Sequence, residues 1–129
     1  MASNIPEKTE EIAKKIIAAA FCVHKNLGAG LLESTYEACL LYELTKIGLK
    51  HQKQVILPVN YDGLKIDAGY RVDILVEKLI IIELKAVDIL TPLHTAQLLT
   101  YLKLSKIKLG FLINFNTPNL KDGIKRLIL

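Results

Sequence analysis

The segment RVDILVEKLIIIELKAVD, residues 71 to 88, constrains this chain more than any other. It is apolar enough for two adjacent β-strands, yet it carries Asp73, Glu83 and Lys85 inside them. A strand buried on both faces is a plain Val/Ile/Leu run, and an unpaired charge within it costs several kcal/mol. These residues therefore either lie on a solvated face or face one another around a site. Glu83 and Lys85 are two apart in a strand, so they project from one face while Ile80, Ile82 and Leu84 project from the other.

Whether Asp73 joins them is a question of register. A two-residue turn at Glu77-Lys78 would set Asp73 opposite Ile82, on the wrong face for Glu83. A three-residue loop of Glu77, Lys78 and Leu79, or a bulge with the same effect, pairs Val76 with Ile80 and sets Asp73 across from Glu83. Cβ atoms of such partners stand roughly 4.5 to 5.5 Å apart, close enough for two carboxylates to share one divalent ion. Without a cation, one of them would tend to keep its proton. A bound Mg2+ lets both ionise and activates water, and Lys85 adds fixed positive charge where a phosphoryl transition state gathers negative charge. That is the equipment of a metal-dependent phosphodiesterase. A salt-bridged solvent face of an antiparallel sheet is the alternative for the same three residues.

Around this segment the pattern predicts one domain over residues 1 to 129, with a loose tail over residues 1 to 6. Ile12, Ile16, Ala20, Val23 and Leu27 recur at helical spacing, and Gly28 and Gly30 end that helix. Leu32, Tyr36, Leu40 and Leu44 mark a second helix closed at Gly48. From Gln54 the residues turn β-branched: VILPVNY, with Pro58 indicating an edge or a bulge, a turn at Asp62-Gly63, LKI, and then the two strands above. TPLHTAQLLTYLKL reads as a helix with Thr91 as N-cap and Pro92 in its first turn. KLGFLINF and IKRLIL read as two final strands. The order αα, strands, α, ββ predicts an α/β sandwich around a central mixed sheet.

Half of the 129 residues are hydrophobic, enough for a core without disulfides or structural zinc. Cys22 and Cys39 lie in helical patterns among apolar neighbours, which predicts buried free thiols and a cytoplasmic, reducing location. No segment is long enough to span a membrane. The 17 basic and 13 acidic residues leave a charge of +4, which permits a polyanionic partner without demanding one. His24, His51 and His94 are too scattered for a zinc site and read as surface or capping residues. Lys103, Lys106, Lys108, Lys121, Lys125 and Arg126 bias the C-terminal third to positive charge, either as a solvated face or along a phosphate backbone.

Asp73 followed by Glu83-Leu84-Lys85 resembles the core of the PD-(D/E)xK nuclease superfamily, with Val72 where the superfamily name has proline. Gly30-Leu-Leu-Glu33-Ser-Thr-Tyr36 is similar to the signature of the GxxExxY family within it. The resemblance extends through HTAQLLTYLK and GFLINFN. It implies a restriction-endonuclease-like core, with a mixed central β-sheet flanked by α-helices. It also implies Mg2+ or Mn2+ on Asp73 and Glu83, with Lys85 as catalytic base or stabiliser. Glu33 would be the acid from the preceding helix, and Gln97 the glutamine some members place beside the site. The implied partner is nucleic acid, DNA ahead of RNA. For Glu33, the helix macrodipole alone also favours an acid there; Gln97 and Tyr101, four apart, could equally form a solvated polar pair. Tyr36 reads as a packing residue whose hydroxyl is satisfied locally. A nuclease-fold module that binds nucleic acid or a protein without catalysis is the second reading, and self-association into a homodimer a third.

Overall fold

The computed structural model describes residues 4–129. Helices α1 (Glu7–Leu27) and α2 (Glu33–Lys46) come first, then strands β1 (His51–Ile56), β2 (Val59–Tyr61), β3 (Leu64–Ile66), β4 (Arg71–Val76) and β5 (Ile80–Lys85). Helix α3 (Pro92–Ser105), strand β6 (Leu109–Asn114), a 3-10 turn at Leu120–Gly123 and strand β7 (Ile124–Ile128) complete the chain. Five strands form one mixed sheet in the order β1-β4-β5-β6-β7, in which β5 and β6 run parallel and the other neighbours antiparallel. The parallel pair requires a crossover, and α3 supplies it.

Two apolar clusters hold the layers together. Ile16, Ala20, Tyr36, Leu40 and Leu44 of α1 and α2 pack on Ile74, Ile80, Ile82, Leu84, Phe111 and Ile113. On the other face, Leu98, Tyr101 and Leu102 of α3 pack on Val72, Ile81 and Leu112. Ile80, Ile81, Ile82 and Leu84 are all fully buried, so β5 is the centre of the molecule. Each such side chain contributes about 1.5–3 kcal/mol. The expected sandwich around a mixed sheet is the architecture observed.

Local sequence explains the element ends. Leu49 N–H donates to Leu44 O and Gly48 N–H to Thr45 O, the two bonds of a Schellman motif, with Gly48 at φ +77°. Thr91 caps α3 through a reciprocal pair in which His94 N–H donates to Thr91 Oγ1 and Thr91 N–H to His94 Nδ1. His94 is thus a capping residue, as expected. Asp62 and Gly63 both have positive φ, which closes the β2–β3 hairpin.

Several expectations need correction. VILPVNY is not one strand: β1 ends at Ile56 and β2 pairs only with β3, because Pro58 has no N–H and restrains the residue before it. The loose tail does not reach Ile5, which is 7% exposed and packs in the larger cluster, while Pro6 O accepts Glu10 N–H; residues 1–3 lie outside the described residues. Leu32 is 74% exposed, since it caps α2 from outside the helix, and Leu27 is exposed at the end of α1. Neither thiol is buried: Cys22 is exposed and Cys39 half-buried. Arg126 forms a bidentate pair with Glu10 at 2.8 and 2.7 Å, which takes its guanidinium out of the basic track. No helix among the described residues is long and apolar enough to cross a membrane.

Candidate active site

The β4–β5 hairpin turns through Glu77 and Lys78, both with positive φ, and Leu79 N–H donates to Val76 O. Ile80 rather than Leu79 then pairs with Val76, leaving Leu79 as an extra residue in the turn. Two non-glycine residues in left-handed conformation are costly, and Glu77 offsets this locally. Its N–H donates to Lys50 O at 2.8 Å and its Oε2 accepts Lys50 N–H at 2.6 Å. The resulting ladder runs Val76↔Ile80, Leu75↔Ile81, Ile74↔Ile82, and its next step sets Asp73 opposite Glu83.

At that step side chains replace the backbone ladder. Asp73 N–H donates to Glu83 Oε2 at 2.6 Å, and Leu84 N–H donates to Asp73 Oδ2 at 2.8 Å. Each carboxylate therefore binds the other's strand. On the opposite side, Gln54 in β1 has φ +51° and interrupts the pairing between Lys53↔Ile74 and Val55↔Val72. The strand also rolls over here: Val72 packs in the α3 cluster, whereas Ile74 and Val76 pack in the other. Asp73 thus sits where the sheet is locally distorted, a setting in which backbone strain concentrates at functional sites.

Burial first, then the Asp73 charge, pushes the Glu83 carboxyl up to about 8, against the pull of Asp73 N–H and Lys85. Asp73 is also raised by burial, opposed by Leu84 N–H, Lys85 and Gln54. Without a cation the pair therefore holds a proton at neutral pH, on Glu83, which is 5% exposed. The remaining oxygens are less committed. Glu83 Oε1 accepts no hydrogen bond among the described residues, and Asp73 Oδ1 accepts only a long one from Gln54 Nε2, at 3.5 Å. A hard divalent cation fits this donor set: it takes oxygen ligands and can replace the shared proton. Among the described residues no group of three or more His, Cys, Asp and Glu side chains lies close enough to form a cage without rearrangement.

A family model described as the PD-(D/E)XK nuclease superfamily matches residues 10–127. The chain belongs to that superfamily. No curated protein and no solved structure matches the chain. The mixed five-strand sheet flanked by helices agrees with the superfamily's restriction-endonuclease-like core. Nucleases of this superfamily typically use divalent metals, and the matched range includes Asp73, Glu83 and Lys85.

Helix α2 begins beside the two carboxylates. Glu33 is its first residue, and its carboxyl is raised by burial and then by Asp73, while Lys85 lowers it. Tyr36 fixes this helix start. Its hydroxyl donates to Gly28 O at 2.6 Å and accepts Leu31 N–H at 3.1 Å, and its ring stacks on Phe115 with centroids 4.6 Å apart. Gly30 N–H donates to Asn116 Oδ1 at 3.1 Å. The sequence reading of Tyr36 as a packing residue with a local partner is the observed arrangement, and the partners are backbone groups.

Lys85 ends β5, where Phe115 N–H donates to its carbonyl at 3.0 Å. Its ammonium is in neither of the ion pairs of the described residues, Lys46–Glu43 and Arg126–Glu10. Gln97 does not bond to a carboxylate; its Nε2 donates to Tyr101 Oη at 3.1 Å.

Three residues near the candidate site, Gln54, Glu37 and Asn114, go unread in the sequence, while Tyr101 is read there only as one half of a polar pair with Gln97. Gln54 Nε2 donates to Glu37 Oε2 at 2.9 Å as well as reaching Asp73. Glu37 is one turn beyond Glu33, and that i,i+4 spacing was the available signal. Tyr101 lies in the field of Glu83 and Asp73, its hydroxyl raised by burial and then by Glu83. Asn114, 2% exposed, accepts Val87 N–H at 3.1 Å and donates to Val87 O at 2.9 Å, holding the chain just beyond Lys85. A Cβ on Gly123 would lie 2.2 Å from Asn114 O, so the final turn closes against Asn114 only because that position has no side chain.

Proposed function

We propose that this protein is a Mg2+- or Mn2+-dependent nuclease of the cytoplasm that hydrolyses nucleic-acid phosphodiester bonds, DNA ahead of RNA, and a GxxExxY member of its superfamily on the strength of Gly30, Glu33 and Tyr36. The observation that carries this reading is the cross-strand bonding of the two carboxylates, Asp73 N–H to Glu83 Oε2 and Leu84 N–H to Asp73 Oδ2, with Lys85 two residues beyond Glu83. Asp73 and Glu83 would hold the ion through Asp73 Oδ1 and Glu83 Oε1, the oxygens not taken by strong backbone bonds. When bound, the ion supplies water activation and charge neutralisation at the scissile phosphate. Glu83 would have to be ionised to hold such an ion. Lys85 places a positive charge where the phosphoryl oxygens gather negative charge. Glu33 orients water on the α2 side, and Gln97 supports the site through Tyr101.

The test is Mn2+-dependent cleavage of single-stranded, duplex and branched nucleic acids by the wild type, Asp73→Asn and Lys85→Ala. Cleavage lost in both variants is the expected result. Equal cleavage by wild type and variants would mean contamination, and binding without cleavage would assign the chain to the non-catalytic reading.

A further inference from the structure

Tyr101 belongs to two surfaces. On one side it packs with Val72, next to Asp73, and on the other it forms part of a groove of about 320 Å3 between α3 and the base of the β2–β3 hairpin. Val59, Tyr70, Leu93, Gln97 and Thr100 line the rest of the part that matters. Tyr70 is 46% exposed, and its ring centroid lies 6.4 Å from that of Tyr101 at an interplanar angle of 57°. The groove is thus an aromatic and aliphatic slot with a carboxamide and a hydroxyl at its rim, and its Tyr101 packs in the same cluster as Val72, the residue before Asp73.

Its charge setting favours a polyanion. The chain has no Asp or Glu between Asp88 and Asp122, a stretch that includes all of α3 and carries Lys103, Lys106, Lys108 and Lys121. Lys103 is exposed one turn from Thr100 along α3. A strand whose phosphate lies at the carboxylates and whose backbone follows α3 would meet cations and no acid on that helix. The slot is too small for a duplex and suits one planar heteroaromatic ring, which can stack on tyrosine and use the amide and hydroxyl along its edge. A base within a duplex is stacked and paired, so it cannot enter.

We propose that the α3–hairpin groove takes one unpaired nucleobase of the strand being cut, which makes single-stranded or locally unpaired nucleic acid the substrate class. This rests on the nuclease reading above for the position of the phosphate.

The test is fluorescence anisotropy in EDTA, where no cleavage occurs, with a short fluorescein-labelled oligothymidylate and a duplex of the same length. The wild type should bind the single strand more tightly than the duplex. Tyr70→Ala should weaken single-strand binding by roughly 5- to 100-fold, the value of one stacked base, and leave duplex binding unchanged. Equal or tighter duplex binding, or single-strand binding indifferent to Tyr70→Ala, overturns the proposal. So does a dimer in sedimentation that Tyr70→Ala or Leu93→Ala dissolves, since a second copy would then be the occupant. A parallel Mn2+ cleavage assay separates the two claims. Cleavage lost in Asp73→Asn but intact in Tyr70→Ala on every substrate removes the groove and keeps the nuclease. Tyr70-dependent single-strand binding without cleavage removes the nuclease and keeps the groove.

Discussion

Asp73 and Glu83 face each other across β4 and β5, and Glu83 Oε2 accepts the Asp73 N–H at 2.6 Å. A carboxyl has taken the place of a ladder carbonyl. The pair is therefore part of the sheet as well as part of a site, and stability and chemistry are linked through one proton.

That linkage has a definite sign. The Glu83 carboxyl rises from 4.5 to about 8 on folding, so the folded state binds more protons than the unfolded state between those values. Stability of the metal-free protein should be highest near the low end of that window and fall as pH rises through it. The loss should be on the order of a few kcal/mol. Glu83→Gln keeps an oxygen for the Asp73 N–H and removes the titration, so urea unfolding at several pH values should show a flatter profile for the variant. A wild-type profile that rises from pH 5 to pH 8 would contradict this account of the pair.

Metal binding should run the other way with pH. Below about 8 a cation must displace the Glu83 proton, so apparent Mn2+ affinity should increase up to about tenfold per pH unit. Calorimetric titration in buffers of different ionisation enthalpy would count the proton released. Mn2+ at about a hundred times its dissociation constant should add roughly 2.7 kcal/mol and raise the melting temperature by several degrees. Asp73→Asn should abolish that rise.

Tyr36→Phe tests the helix start. It leaves Gly28 O and Leu31 N–H without their buried partner, which should cost about 1–3 kcal/mol in urea unfolding. Because Tyr36 anchors the turn that presents Glu33, cleavage should fall even at temperatures where the variant is fully folded. Unchanged stability would show that the hydroxyl does not hold the turn.

Gly123→Ala tests how the last turn supports Lys85. The added Cβ would meet Asn114 O at 2.2 Å, backbone that cannot easily yield. A loss of about 1–3 kcal/mol or more is expected. Asn114→Ala should lose a similar amount by leaving Val87 N–H and O unpaired, and both should reduce cleavage. Two fully stable variants would separate Asn114 from the support of β5.

Much of the site is legible in the residues 71 to 88 alone. Strand period two gives Glu83 and Lys85 one face, and the length of the turn decides whether Asp73 joins them. The helices are equally legible from apolar spacing, Thr91 and Gly48. These signals are local, because period, capping and turn chemistry involve residues a few positions apart. Glu37, Gln54 and Asn114 are different. Gln54 matters because β1 lies against β4 and takes a left-handed conformation opposite Asp73, and nothing in HQKQVI says so.

The sequence by itself determined most of the elements, the superfamily and the shared face of Glu83 and Lys85, since each is set by short-range spacing. Only the tertiary structure decided that the turn sets Asp73 across from Glu83, that the alternation of β4 reverses at Asp73, that Gln97 reaches Tyr101 rather than a carboxylate, and that Tyr101 lines a groove. Those outcomes depend on which face of α3 meets the sheet and on how strands distant in the chain align. Packing of the whole core settles both, and no single segment carries them.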